Sequence, residues 1–284
     1  MNLTRWLGLA ALLAGLVGGK ALFDTLSDPV VMQTSLGTRA LPVGAQPVTI
    51  ALISDIHVAG PDMPPSRLKR IVRQINRLQP DLVMIAGDLI SEKRLSTHVY
   101  SAEEVVEPLG RLRAPLGTVL VPGNHDHWFD LPALEVELMQ RNIRVLRNDA
   151  LQIGPLAVGG LDDDFTRHGD VRKTLAAMDG LRGPRVMLSH SPDPFPDMPS
   201  DVVLFLAGHT HCGQIAYPWG GAPATMSDYG NRYACGRIDE RGKVLVTSAG
   251  LGTSLVPVRL FTRPEIWLIT LKPGLLAEGA TARE

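Results

Sequence analysis

The chain has 284 residues, 45% hydrophobic and 20% charged, with a formal net charge of −1. That balance suits one large folded domain and excludes a disordered or low-complexity chain. No basic tract marks a nucleic-acid surface, so specific nucleic acid is not an expected partner. Two cysteines, Cys212 and Cys235, are too few for a disulfide scaffold. A bridge between them and two separate thiols are both open, with separate thiols the favoured reading.

At the N-terminus Arg5 precedes the apolar run Trp6 to Gly19, roughly 21 Å as a helix and shorter than a hydrocarbon core of roughly 30 Å. Counting Lys20 as snorkelling and adding Ala21 to Phe23 extends it to about 27 Å, enough to span. Residues 1–26 therefore read as a signal or anchor segment, and the poor Ala-x-Ala-like cleavage signals favour an uncleaved anchor. The expected location is the inner or cytoplasmic membrane, with the catalytic body on the outer, periplasmic or extracellular side. Residues 27–45 read as a linker, 46–273 as the folded domain and 274–284 as a tail.

The apolar stretch from Val48 to Ser54 predicts a strand covered on both faces. A helix follows from Ser66 to Gln79, with Leu68, Ile71, Val72, Ile75 and Leu78 toward the core and Arg67, Lys69, Arg70, Arg73 and Arg77 on a solvated face. Leu82 to Ala86 is a second buried strand, Ala102 to Leu112 a helical stretch, Thr118 to Val121 a third strand and Glu135 to Gln140 helical. Short strands are then expected at 143–146, 151–153, 157–160, 185–188, 202–206, 244–247 and 265–271. The alternation in the first half and the run of strands in the second predict an α/β fold with two packed sheets and outer helices.

Polar residues follow these strands. Asp55-Ile56-His57, Gly87-Asp88, Gly123-Asn124-His125-Asp126, His190 and Gly208-His209-Thr210-His211 occur in that order, at carboxyl ends of strands where ligands of open α/β sheets collect. Hard oxygen donors mixed with imidazoles suit two divalent ions of the Mn, Fe, Zn or Ni type. Two dications about 3.5 to 4 Å apart repel by on the order of 20 kcal/mol even at an effective dielectric of 20, so a shared anion is required. Asp88 is the candidate bridge, beside a hydroxide poised to attack phosphorus, and His125 fits a role off the metals as hydrogen-bond donor or acid.

As a set these blocks resemble the signature of the calcineurin-like metallophosphoesterases over about Val48 to Ile215. The resemblance implies a four-layer αββα sandwich of two mixed sheets with a dinuclear centre. Asp55, His57 and His211 would hold one ion, Asn124, His190 and His209 the other, Asp88 would bridge, and His125 matches the catalytic histidine. The stretches His209 to Ile215 and Gly250 to Ile266 are similar to the membrane-associated YaeI/YkuE group, itself similar to a UDP-diacylglucosamine pyrophosphatase of the lipid A pathway. This implies hydrolysis of phosphodiester or pyrophosphate bonds in a lipid-linked or nucleotide substrate. The alternatives are a phosphomonoesterase and a non-catalytic metal-binding scaffold, and oligomeric state is left open. Cys212 stands where that group usually has glycine, which carries a strain cost if φ is positive. His127 and Trp128 either line the site mouth or pack. Asp162 to Asp164 read as a solvated acidic turn, with a ligand-orienting or Ca²⁺-binding turn the alternative; Trp219 reads as a packed loop residue, with contact to substrate or membrane the alternative; and His98 and His168 read as surface histidines.

Overall fold

The computed structural model describes residues 3–91 and 94–274. An N-terminal helix, α1 (Leu3–Leu26), is long and apolar enough to cross a membrane, and nearly all of its span from Thr4 to Leu26 lies outside the packed body. β1 (Val30–Thr38) and β2 (Val48–Ile53) follow, then α2 (Pro65–Arg77), β3 (Leu82–Ala86), α3 (Ala102–Val106), β4 (Thr118–Val121), α4 (Asn124–Phe129), α5 (Leu131–Gln140) and β5 (Ile143–Val145). The second half holds β6 (Asp149–Ile153), β7 (Leu156–Gly160), α6 (Val171–Met178), β8 (Arg185–Leu188), β9 (Val202–Ala207), β10 (Gly236–Glu240), β11 (Lys243–Thr247) and β12 (Glu265–Pro273).

These strands form two six-stranded mixed sheets, β1-β12-β2-β3-β4-β5 and β10-β11-β9-β8-β7-β6. Strand alternation decides what each residue meets. Ile50 and Leu52 of β2 join Leu204 and Leu206 of β9 in the core between the sheets. Ala51 and Ile53 turn the other way, to a core shared with Leu68, Ile71 and Ile75 of α2 and Leu134 and Leu138 of α5. Phe205 and Ala207 face a third core with Met178 of α6. The result is the expected αββα layering.

Two helices show how local sequence sets their ends. α2 begins with Pro65 in its first turn, where no backbone N–H is needed, and ends before Gln79, which adopts φ 51°. α3 is opened by a capping box in which Ser101 accepts from Glu104 N and Glu104 accepts from Ser101 N. It is shorter than expected: Pro108, with no N–H to give, stands two residues after its end, and Leu109–Arg111 form a 3-10 turn.

The stretch expected as a linker instead contains β1, an edge strand paired in parallel with β12 from Val30↔Glu265 to Thr38↔Pro273. Arg67 also departs from the solvated-face reading. Its guanidinium is buried and donates to Asp62 O (2.7 Å), Thr25 O (2.9 Å) and Ser27 O (3.0 Å), closing the carboxyl end of α1. Save for Gly274, the expected tail lies outside the described residues.

Candidate metal centre

β2, β3 and β4 run parallel, as do β8 and β9, and the residues just past their carboxyl ends meet at one end of the sandwich. Asp55 N donates to Gly87 O (3.0 Å), His57 N to Asp88 O (3.0 Å) and Gly208 N to His190 O (2.9 Å), so the loops brace one another. Asp55, His57, Asp88, His209 and His211 all hold positive φ, between 47° and 68°. Such left-handed backbone at non-glycine residues costs of order 1 to 2 kcal/mol each and is sustained where packing over-determines it. Tight approach explains two of the intervening glycines. A Cβ on Gly87 would stand 2.6 Å from Gly123 N, and one on Gly208 would lie 2.5 Å from Ser54 Cβ.

All seven residues expected as ligands converge, and all are buried. Asp88 Oδ2 lies 3.5 Å from His57 Nε2 and 3.3 Å from His190 Nε2, while Asp55 Oδ1 is 3.4 Å from His211 Nε2. His57 Nε2 faces His211 Nε2 at 3.0 Å. His190 Nε2 faces Asn124 Oδ1 and His209 Nδ1, each at 3.1 Å. The far nitrogens of two rings are tied back to main chain, His57 Nδ1 to Ile90 O (3.2 Å) and His190 Nδ1 to Ala86 O (2.7 Å). A proton held there would leave Nε2 free to face a cation in the cluster, as outer hydrogen bonds do for metal-bound histidines. Lone pairs facing lone pairs are unfavourable by themselves and would be resolved by cations between them. Among the described residues three overlapping groups meet the spacing for holding an ion: Asp55, His57 and His211; His57, Asp88 and His125; Asp55, Asp88 and His190.

The electrostatics point the same way. Burial, reinforced by the Asp88 carboxylate, pushes the Asp55 carboxyl up to about 7. Burial opposes ionisation of Asp88 too, yet His190, His57 and His125 around it hold its carboxyl well below the usual range. Burial likewise works against a charge on His190, but Asp88 and Asp55 draw its pKa well above the ordinary value. Burial and neighbouring His190 push His209 down to about 3, and burial with His57 and Arg259 pushes His211 well down. The carboxylates thus call for positive charge, and two imidazoles are kept in the neutral form that ligates.

His125 opens α4. Its backbone N donates to Asp88 Oδ1 (2.9 Å), and its Nδ1 has no hydrogen-bond partner among the described residues. Its ring stands edge-on to His57 at 4.9 Å and lines a cleft of about 410 Å³. Asp88, Asn124, His209 and His211 line the floor of this cleft, and Trp128, Phe165, Ile215, Met226, Leu255 and Val256 supply apolar walls.

Several supports were not assigned a role from sequence. Asp126 accepts from Asp88 N (2.9 Å), Leu89 N (2.8 Å) and Gly123 N (3.0 Å), welding the second and third ligand loops; burial and Asp88 push its carboxyl up to about 7. Arg259 is fully buried, donates to Ala249 O (2.7 Å) and comes within 3.4 Å of His211 Nδ1. Trp128 lines the cleft, whereas His127 turns away to Asp162 (2.8 Å) and stacks on His168 at 4.0 Å. The expected solvated turn is mostly interior: Asp162 and Asp163 are buried, and Asp162 also accepts from Arg147 Nε at 2.8 Å. Trp219 is not packed into a loop; it is exposed and stacked on Tyr217. His98 likewise sits beside Tyr100, ring centroids 4.4 Å apart.

Cys212 and Cys235 form a disulfide rather than separate thiols, with Cα atoms 4.8 Å apart. Their loops are brought together by Thr210 Oγ1 donating to Ala234 O (2.6 Å) and Thr247 Oγ1 donating to Tyr233 O (2.8 Å), contacts that a separation of 23 residues does not reveal. Cys212 does adopt positive φ, 51°, so the strain that glycine would avoid is present.

The family model described as calcineurin-like phosphoesterase matches residues 48–220. A transmembrane protein with metallophosphoesterase domain from Danio rerio is 31% identical over 93% of this chain and 62% of its own length. The uncharacterized metallophosphoesterase YkuE of Bacillus subtilis is 31% identical over 92% of this chain and 94% of its own length. The chain thus spans about three fifths of the first of these relatives and nearly all of the second. Among solved structures, a 5'-nucleotidase precursor from Thermus thermophilus aligns with a TM-score of 0.44 at 14% identity over 81% of this chain and 55% of that one.

Proposed function

This chain belongs to the calcineurin-like metallophosphoesterases, and from that premise we propose that it hydrolyses phosphodiester or pyrophosphate bonds at a dinuclear centre. Asp55, His57 and His211 would hold one divalent ion of the Mn, Fe, Zn or Ni type, Asn124, His190 and His209 the other, and Asp88 would serve both. The observation that carries this is the position of the Asp88 carboxylate, within 3.5 Å of ring nitrogens belonging to both sets. Bound divalent ions supply Lewis acidity and a nucleophilic water at neutral pH.

The protein's own part is placement. Asp126 fixes the Asp88 and Gly123 backbones, and the Asp88 carboxylate in turn receives His125 N. His125 lines the cleft beside the proposed ligands, where an imidazole is suited to donate to a phosphoryl oxygen or to the leaving group. Only two of the proposed ligands, Asp55 and Asp88, are anionic, so the occupied site stays electropositive toward phosphate. The apolar walls favour a substrate with a hydrophobic portion, such as a lipid-linked phosphoester.

α1 would anchor the protein in the cytoplasmic membrane, with Arg5 inside and the domain outside. The Cys212–Cys235 disulfide supports an oxidising compartment. The test is hydrolysis of a chromogenic phosphodiester and its monoester by full-length protein stripped with chelator and reloaded separately with Mn, Zn, Ni or Mg. Metal-dependent diester turnover is expected; monoester turnover alone favours a phosphomonoesterase, and none with any metal favours a non-catalytic scaffold.

A further inference from the structure

The end of α1 and the metal centre lie at the same end of the sandwich. β12 is antiparallel to β2, with Trp267 opposite Leu52, so the start of β12 lies where β2 ends and delivers Asp55. β1 begins opposite Glu265, at that same end, and α1 enters β1 after only three residues.

The junction is a clamp. Asp24 and Thr25 in the last turn of α1 are buried. Phe261 N donates to Asp24 Oδ2 (2.8 Å), Arg259 N to Thr25 Oγ1 (2.7 Å) and Arg67 Nη2 to Thr25 O (2.9 Å). Through Arg259 a single residue links the anchor's end to His211. With α1 in a bilayer, the depth of the centre would be set by the fold, since only three residues separate α1 from β1.

Around this junction the body exposes apolar side chains that the fold leaves uncovered. Trp219 is 80% exposed and stacks on Tyr217, and Val258 and Phe261 are also exposed. Ile215 and Leu255 continue the patch to the lip of the cleft. Cations lie among the rings, Lys20 Nζ at 5.2 Å from the Phe261 centroid and the Arg263 guanidinium at 5.3 Å from that of Phe23. Aromatic and basic residues mixed at the exit of an apolar helix are what the headgroup layer selects. Continuity with α1, which is long and apolar enough to cross a membrane, makes a bilayer the fitting occupant.

We propose that the catalytic face docks on the membrane, with Tyr217, Trp219, Val258 and Phe261 in the interfacial layer and the cleft opening onto lipid headgroups. A lipid phosphoester would then reach His125 and the metal ligands without leaving the bilayer. The substrate half of this inference rests on the phosphoesterase reading; the docking half does not.

The experiment uses the full chain in phosphatidylcholine–phosphatidylglycerol vesicles whose acyl chains carry bromine near the carbonyl end. Tryptophan emission of the wild type is compared with that of Trp219→Phe, a mild change at an exposed ring, and Trp6 within α1 reports insertion. The Trp219 component is expected to be blue-shifted, lost with bromolipid and shielded from aqueous iodide. A Trp219 component untouched by bromolipid and quenched by iodide, while Trp6 is quenched by bromolipid, overturns the docking. Hydrolysis of a soluble chromogenic diester by the same vesicles separates the two readings. Turnover without Trp219 quenching sinks docking alone, and quenching without turnover upholds docking while sinking the phosphoesterase reading.

Discussion

Replacing Gly123 by alanine isolates the contribution of Asp88 placement. Gly123 has φ −110°, a conformation open to any residue, so the change acts through its methyl group alone. That methyl would stand 2.7 Å from Asp88 N and 2.9 Å from Asp88 Cγ, and nearer still to Oδ1. Carbon contacts are favourable from about 3.5 Å, so the carboxylate must retreat by roughly 0.6 Å or more. Retreat is obstructed, since Asp88 N is held by Asp126 Oδ2 and Asp88 Oδ1 receives His125 N, both at 2.9 Å. Misplacing a reacting group by about 1 Å costs up to roughly a hundredfold, so kcat/KM on a soluble diester should fall by about ten- to a hundredfold. Overpacking should lower stability by only about 1 to 3 kcal/mol, leaving a folded protein by circular dichroism. Gly19→Ala in α1, where an added Cβ meets nothing within 4 Å, is the matched control. A folded Gly123→Ala protein with wild-type kcat/KM at saturating metal would show that Asp88 placement does not limit turnover.

Other perturbations read other parts of the structure. Cys235→Ser opens a loop closed across 23 residues, so a stability loss of about 3 kcal/mol is expected in chemical denaturation, together with weaker metal binding by titration because Cys212 adjoins His211. Reducing the wild type should reproduce both effects, and unchanged metal affinity would detach the bridge from the site. Arg259→Met leaves the buried carbonyls of Ala249 and Gly252 without their donor and should cost about 1 to 3 kcal/mol, read as a lower Tm, with no loss contradicting its bracing role. Asp162 titrates near 2: burial opposes its charge, but hydrogen bonds from His127 and Arg147 more than offset that. A depressed folded pKa means its stabilisation is present above the unfolded value of 3.8 and is lost as pH falls through about 2. The Tm of Asp162→Asn should accordingly lie below wild type near neutral pH, with the gap closing in acid; a gap constant with pH would rule the ionised carboxylate out as its source.

How much of this was legible in the chain depends on whether the signal was local. Asp55, Asp88, Asn124, His190 and His209 each follow an apolar run, so their convergence at one end of parallel strands could be read from periodicity and position. β1 was hidden because Val30 to Thr38 mixes apolar with polar residues and its partner begins at Glu265, a pairing that no local window contains. The Cys212–Cys235 bridge and the burial of Arg67 depend likewise on distant segments, the second on carbonyls at the end of α1. Asp162 and Asp163 look like a solvated turn until Arg147 and His127 are placed against the first and Thr166 against the second. The cleft walls were the least legible, since Phe165, Met226, Leu255 and Val256 are isolated apolar residues in separate loops and share no period.

A dinuclear centre that depends on Asp88 is read directly by electron paramagnetic resonance of the manganese-loaded full-length protein. About two ions per chain are expected, with the signature of an exchange-coupled pair that collapses to uncoupled signals in Asp88→Asn. Uncoupled manganese in the wild type at full loading, or a coupled pair that survives in Asp88→Asn, would contradict it.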